Sequence, residues 1–382
     1  MDFQVLKDSV YSSPAFVLDE TEIAGTLAIL AELRTQCACR ILYSVKALPF
    51  SAVMDIAKPV VDGFSVSSLF EARLAGEMLR QGAAKQGGIH LTTPGIRHDE
   101  LDELSLLCSH ISFNSLSQYR RYEAQTQSSI GLRVNPKLSF LHDQRFDPCR
   151  LHSKLGVAIE ELGRSVDLEP IQGLHVHNVF SASDFSPLIK TVAKLQQHLG
   201  PKLAQFDWLN LGGGYLFGQI ADHRPFIETV NKLRDDYGLE VYIEPGKAIV
   251  GQAGYLVATV LDSFVSDGEN IAVLDTSVNH NPEVFEYQRR PELHEHDTNG
   301  HYSAILAGCT CLAGDIFGKY QFNAPLAPGD KVVFKNVGAY SLIKANRFNG
   351  YNLPDIYLSN ALRVKKLKHY DYRDYRRQWL AD

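Results

Sequence analysis

The sequence predicts an α/β chain: a (β/α)8 TIM barrel joined to a second, all-β domain. Three observations carry that expectation. Between residues 41 and 245 there are eight strand candidates separated by helical or loop stretches, the count and size of such a barrel. After about residue 249 the texture becomes β-rich with tight turns such as Pro328-Gly329-Asp330. A doubly wound open sheet is the alternative, but no G-x-G-x-x-G follows the first strand candidate.

The chain has 382 residues, enough for two domains. It is 45% hydrophobic, ample for large cores, and its net charge of -6 argues against general nucleic-acid binding. No apolar run approaches the ~20 residues that span a bilayer. The segment Met1–Lys7 lacks a basic region followed by an apolar core. A cytoplasmic protein is therefore expected. Six cysteines are scattered through the chain and should be reduced. Its two C-x-C pairs have no companion His or Cys cluster at zinc spacing, so no metal site is expected.

Ala15–Asp19 reads as a strand that precedes the barrel and could join it. Thr21 to Gln36 has helical apolar spacing at Ile23, Leu27, Leu30 and Leu33, with Thr21 as a possible cap. The barrel strand candidates are 41–47, 61–68, 89–94, 110–115, 130–136, 171–179, 206–214 and 240–245. The β domain follows with 255–261, 271–274, 302–306, 331–336 and 362–367. Domain boundaries fall at 23–249 for the barrel, and 1–22 plus 250–382 for the β domain.

Chemistry-bearing residues cluster at the ends of barrel strands, where such folds place their sites. Tyr43-Ser44-Val45-Lys46 ends the first. Alternation sets Leu42, Ser44 and Lys46 on one face. A buried lysine loses its charge and becomes a nucleophile toward carbonyls, the chemistry of a Schiff base with pyridoxal phosphate. A lysine that merely reaches solvent is the plainer alternative. His175 and His177 share a face at the end of 171–179. An imidazole there could stack on a flat heteroaromatic ring, or simply be a core histidine. Gly212-Gly213-Gly214 lets backbone N–H groups approach a phosphate, or makes a tight turn. Glu244, in Glu244-Pro245-Gly246-Lys247, could keep a pyridine nitrogen protonated or be a structural ion pair. Gly246 and Lys247 could add an N–H and positive charge for a phosphate. In the β domain, Cys311 and Asp315 sit four residues apart and could face a site as proton donor and ammonium holder, or be a buried thiol and a turn aspartate. Tyr340 lies beside glycine and could offer a hydroxyl to a phosphate, or be a core aromatic.

The ordered set resembles the alanine-racemase-like (fold type III) pyridoxal phosphate decarboxylases over nearly the whole chain. It comprises Tyr43-Ser44-Val45-Lys46, Ser153-Lys154-Leu155-Gly156, Gly212-Gly213-Gly214, Glu244-Pro245-Gly246, Thr310-Cys311 with Asp315, and Gly338-Ala339-Tyr340 with Phe348-Asn349-Gly350. The group includes ornithine, diaminopimelate and carboxynorspermidine decarboxylases. The resemblance implies a homodimer in which the cysteine loop of one subunit completes the site of the other. It implies that Lys46 holds pyridoxal 5'-phosphate, His177 stacks on its ring and Glu244 pairs with its nitrogen. Gly213, Gly214, Gly246 and Tyr340 would bind the phosphate, and Cys311 would protonate the carbon after loss of carbon dioxide. The run Cys311-Leu312-Ala313-Gly314-Asp315, and Asn281-Pro282-Glu283-Val284-Phe285-Glu286 before it, look most like the carboxynorspermidine branch. That implies a substrate with a cationic polyamine tail, for which Asp315, Glu283, Asp275 and Glu286 are the candidate partners. The alternatives are a diaminopimelate decarboxylase and a non-catalytic cofactor-binding homologue. Asn178 and Phe180 depart from the small polar residues that assist the phosphate in larger decarboxylases.

Overall fold

The structure is a computed structural model that describes residues 1–80, 88–162, 169–360 and 363–381. Its strands and helices divide into two compact units, Ala24–Ile249 and Met1–Ile23 with Val250–Asp382.

In chain order the strands of the first unit are β2 (Arg40–Ser44), β3 (Gly63–Val66), β4 (Gly88–Thr93), β5 (His110–Phe113), β6 (Ser129–Asn135), a two-residue β7 (Val157–Ala158), β8 (Gly173–Val176), β9 (Trp208–Asn210) and β10 (Glu240–Ile243). Strand β1 (Ala15–Asp19) belongs to the other unit. All pairings in the first unit are parallel, and they close: β10 pairs with β2, and β5 with β6. Setting aside β7, which pairs only with β6, this is a closed eight-stranded barrel.

The barrel core is filled by side chains fitted to glycines. A Cβ on Gly173 would lie 2.0 Å from the Trp208 ring, and one on Gly131 2.3 Å from it. Glycine on β6 and β8 thus makes room for an indole from β9. Trp208 packs with Leu42 and Tyr242, and His90 stacks on His110 at 3.8 Å.

Outside the strands run helices including α7 (Ser186–Leu199) and α8 (Arg224–Tyr237). In α8, Pro225 occupies the first turn and Gly238 ends the helix at φ +73°, a left-handed cap suited to glycine. Phe226, Val230 and Leu233 form its buried stripe. Helix α2 spans Glu20–Cys37. Its cap is Asp19, whose carboxylate accepts from the N–H groups of Thr21 and Glu22, rather than Thr21 as the sequence suggested.

The second unit holds a mixed eight-stranded sheet. After β1 come β11 (Gly254–Ser266), β12 (Glu269–Leu274), β13 (Tyr302–Ala307), β14 (Ile316–Phe322), β15 (Lys331–Phe334), β16 (Asp355–Asn360) and β17 (Arg363–Lys368). β1 pairs antiparallel with β11 and parallel with β16, so the stretch around Phe16 lies in this sheet and not in the barrel. Phe16, Leu256 and Ala258 face one apolar cluster, while Ala15, Val17, Tyr255 and Val257 face another. Burial on both faces explains why these strands read as continuous apolar runs without alternation. β14 and β16 were not anticipated as strands. Leu362, the first residue of the last expected strand, lies outside the described residues. No helix among the described residues is long and apolar enough to cross a membrane.

Candidate functional site

All eight anticipated barrel strands exist, but the structure ends most of them before the motif residues. β2 stops at Ser44, and Val45–Ala47 form one 3-10 turn that carries Lys46. The alternating face expected for Lys46 is therefore replaced by a turn at the strand's C-terminal end. The turn is fixed by its neighbour: Ser44 N–H donates to the Pro245 carbonyl at 3.2 Å. A Cβ on Gly246 would lie 2.9 Å from the Cβ atoms of both Ser44 and Ala47. Glycine is what lets the loop after β10 close on the lysine turn. Burial pushes the Lys46 ammonium below its usual value, with Arg133 adding to the effect and Glu244 and Glu71 opposing it.

Glu244 is buried just past β10. Its Oε1 accepts from Asn210 Nδ2 at 2.8 Å, and its backbone N–H donates to the Gly212 carbonyl at 2.8 Å. Its Oε2 lies 3.6 Å from His175 Nε2. Burial opposes ionisation, but the close approach of His175 and the charge of Lys46 more than offset it and hold the carboxyl well below the usual range. Burial also pushes both histidines down, so they are neutral at neutral pH. His177 follows β8 directly. Its Nδ1 accepts from Gly213 N–H at 3.2 Å, and its carbonyl accepts from Arg133 Nη2 at 3.4 Å. The first bond fixes the ring's orientation and tautomer.

Gly213 and Gly214 both lie where no side chain fits. A Cβ would meet the Glu244 carbonyl at 2.4 Å from Gly213, and the Val179 carbonyl at 2.2 Å from Gly214, which also has φ +101°. The departures noted in the sequence have structural partners here. Asn178 Nδ2 donates to Thr191 Oγ1 at 2.9 Å, tying the strand end to α7. The Phe180 ring stacks on Phe146 at 5.0 Å, and the Lys247 ammonium sits 4.9 Å from its centroid.

These barrel residues fit pyridoxal phosphate. A depressed lysine amine, a buried ionised carboxylate, an oriented imidazole and a glycine wall stand together on adjacent strand ends. The Cβ clashes at Gly213 and Gly214 keep that wall clear of side chains, as a bound phosphate requires.

The sheet unit has a different arrangement. Cys311 is exposed, and its N–H donates to Asn349 Oδ1 at 2.8 Å. Asp315 is 2% exposed. Its Oδ1 accepts from Val278 N–H at 2.8 Å, and its Oδ2 from Thr310 N–H at 3.1 Å and Thr310 Oγ1 at 2.5 Å. Its carboxylate is thus committed to the loop carrying Cys311. Asp315, expected from the sequence to hold a substrate ammonium, therefore already accepts three hydrogen bonds from its own unit. Asp275 likewise accepts from Ser13 Oγ and the Thr259 N–H, and Glu286 pairs with Lys344 at 2.7 Å. The half-buried Glu283 makes no hydrogen bond or ion pair among the described residues. Tyr340 adopts φ +63°, a left-handed conformation costly for a bulky side chain.

Reasoning from sequence missed Arg133 and Asn210. They flank His175 in register on β6 and β9. Their signal was available: a charged and an amide side chain inside largely apolar strands.

The family described as pyridoxal-dependent decarboxylase, C-terminal sheet domain, matches residues 10–338. The chain belongs to the pyridoxal-dependent decarboxylases. Among individual relatives, a carboxynorspermidine/carboxyspermidine decarboxylase from Campylobacter jejuni is 31% identical, over 95% of this chain and 97% of its own. A carboxyaminopropylagmatine decarboxylase from Synechocystis is 33% identical, over 95% and 94%. The crystal structure of carboxynorspermidine decarboxylase complexed with norspermidine, from Campylobacter jejuni, superposes with a TM-score of 0.86 at 30% identity, over 96% of this chain and 100% of that one. A diaminopimelate decarboxylase from Neisseria meningitidis is more distant, at 24% identity over 90% and 88%.

Proposed function

We propose that this decarboxylase removes the carboxyl group of carboxynorspermidine or carboxyspermidine, yielding norspermidine or spermidine. The observation that carries the reading is the Lys46–Glu244–His177 cluster, in a chain whose full-length relatives act on carboxylated polyamines. A bound pyridoxal phosphate would supply the sink for the electron pair left by carbon dioxide. The chain's own residues do the rest. Lys46 offers an amine whose charged form is disfavoured by burial. Glu244, ionised and held by Asn210, keeps a proton on the pyridine nitrogen. His177 presents a ring fixed by Gly213 N–H. Gly213, Gly214 and Gly246 would hold the phosphate, to which Lys247 would add charge, and Tyr340 would offer it a hydroxyl.

Cys311 gives its proton to the carbon that lost the carboxyl group. Its exposure suits a homodimer in which this loop serves the barrel mouth of the other subunit. Asp315 serves from behind by fixing the loop. Glu283, with its carboxylate unspent, holds the cationic tail.

Carboxyaminopropylagmatine is the second reading, favoured by the 33% identity of the Synechocystis relative. The two differ at the distal end, an ammonium against a guanidinium. Carbon dioxide release from each carboxylated triamine, from carboxyaminopropylagmatine and from diaminopimelate decides among them. Release from diaminopimelate alone, or from none, overturns the proposal.

A further inference from the structure

His175 carries the strongest unclaimed observation in the molecule. Its ring is 1% exposed and neither nitrogen has a hydrogen-bond partner among the described residues. Buried imidazoles in folded proteins are ordinarily bonded on at least one side. The ring stands in the layer Arg133–His175–Asn210 that β6, β8 and β9 bring into register. Asn210 already donates to Glu244 Oε1. Glu244 Oε2 lies 3.6 Å from His175 Nε2, just beyond hydrogen-bond reach. The two side chains on β8 and β9 thus approach one carboxylate from two sides, one bonded and one poised.

We propose that His175 is a positioning residue for Glu244: as a neutral imidazole protonated on Nε2, it donates to Oε2 and holds the carboxylate ionised and aimed. The inference rests on the functional reading above, because an aimed carboxylate matters for a pyridine nitrogen. Neutrality is what burial dictates for this ring. A neutral donor stabilises the anion without becoming a competing cation. The other groups that face Glu244 are Lys46 on the turn after β2, His90 on β4, Arg133 on β6 and His177 after β8. Lys46 and Arg133 add positive charge but, among the described residues, make no hydrogen bond to the carboxylate. His175 is the group set to supply the second directional bond.

The test uses full-length apoprotein labelled with 13C at glutamate side-chain carboxyls, with Glu244 identified by the signal lost in Glu244→Gln. In the wild type the Glu244 signal should stay that of a carboxylate down to acid unfolding. In His175→Leu it should titrate at a pH higher by about one unit or more. In His175→Gln, which keeps an N–H donor, it should return toward wild type. An unmoved Glu244 in His175→Leu, or no recovery in His175→Gln, overturns the proposal. Should His175→Leu not fold, 15N spectra of histidine-labelled wild-type protein decide: protonated Nε2 supports the assignment and protonated Nδ1 sinks it. A second arm adds pyridoxal phosphate labelled at the ring nitrogen. That nitrogen should be protonated in wild type and lose its proton at lower pH in His175→Leu; equal behaviour in both counts against the proposal. If the wild type takes up no cofactor, the functional reading fails, while the apoprotein spectra still judge His175 by itself.

Discussion

At the barrel mouth the reactive groups are desolvated and the backbone around them is glycine; in the cysteine loop of the sheet unit the reactive group is exposed and the backbone is tied by a buried acid. Lys46, His177 and Glu244 owe their protonation states chiefly to burial and to one another. Cys311 sits in the open, and the investment is in Asp315, which takes three hydrogen bonds from Val278 and Thr310. One region tunes chemistry by removing water. The other leaves the chemistry alone and fixes where it is delivered. That division suits the proton-donating role proposed for the Cys311 thiol.

The contrast can be broken at its strongest point first. Lys46→Ala should remove turnover by more than about 10³-fold and abolish the visible absorbance that a lysine-bound pyridoxal phosphate gives. A persisting band would mean the cofactor is held otherwise. Cys311→Ala should slow turnover by about 10²-fold, in the range expected for losing a general acid. Cofactor absorbance should stay unchanged, and wild-type rates would remove the thiol from the mechanism.

Asp315→Asn sharpens the comparison further. It should lower stability by about 1–3 kcal/mol by leaving donors of Thr310 or Val278 without an ionised acceptor. It should also raise the labelling rate of Cys311, with the Lys46 absorbance unaffected. Denaturant midpoints and thiol-labelling kinetics read both effects, and a change in KM alone would instead favour a direct tail contact. Glu283→Gln should raise KM about tenfold with kcat nearly constant, equivalent to about 1.4 kcal/mol of uniform binding. Steady-state kinetics with a carboxylated triamine is the measurement.

The last effect is one the two regions share. Burial lowers His110, in the barrel, and His280, in the sheet unit, each to about 4. An unfolded histidine titrates near ~6.5. With folded values below unfolded ones, the contribution of each is complete above about 6.5 and is lost as pH falls toward 4. Urea midpoints at several pH values in that window should fall, and His110→Phe should flatten the slope.

Much of this was legible before any coordinates. The eight barrel strands announced themselves as short apolar runs, because parallel strands buried on both sides cannot carry many polar residues. Their ends were misjudged because nothing in Gly212-Gly213-Gly214 or Glu244-Pro245-Gly246 shows, along the chain, where the ladder of hydrogen bonds stops. Lys46 was found by its position and misplaced by its local conformation, since a 3-10 turn and a strand end share the same composition. The three hydrogen bonds that Asp315 accepts were not legible, because charge is visible in a sequence and hydrogen-bond partners are not. Arg133 and Asn210 were passed over because only the register of β6, β8 and β9 brings them to His175.

By itself the sequence determined the barrel, the β-rich second unit and the ordered set of lysine, histidine, glycines, acid and cysteine. Those follow from periodicity, residue type and order along the chain, which are local. The tertiary structure alone decided which groups are charged and which are already engaged: that Glu244 stays ionised while buried, that Glu283 has no hydrogen bond or ion pair among the described residues where Asp315 has three, and that His175 waits beside a carboxylate. Protonation and hydrogen bonding are settled by the distances between residues far apart in the chain, and no reading of neighbours along it contains them.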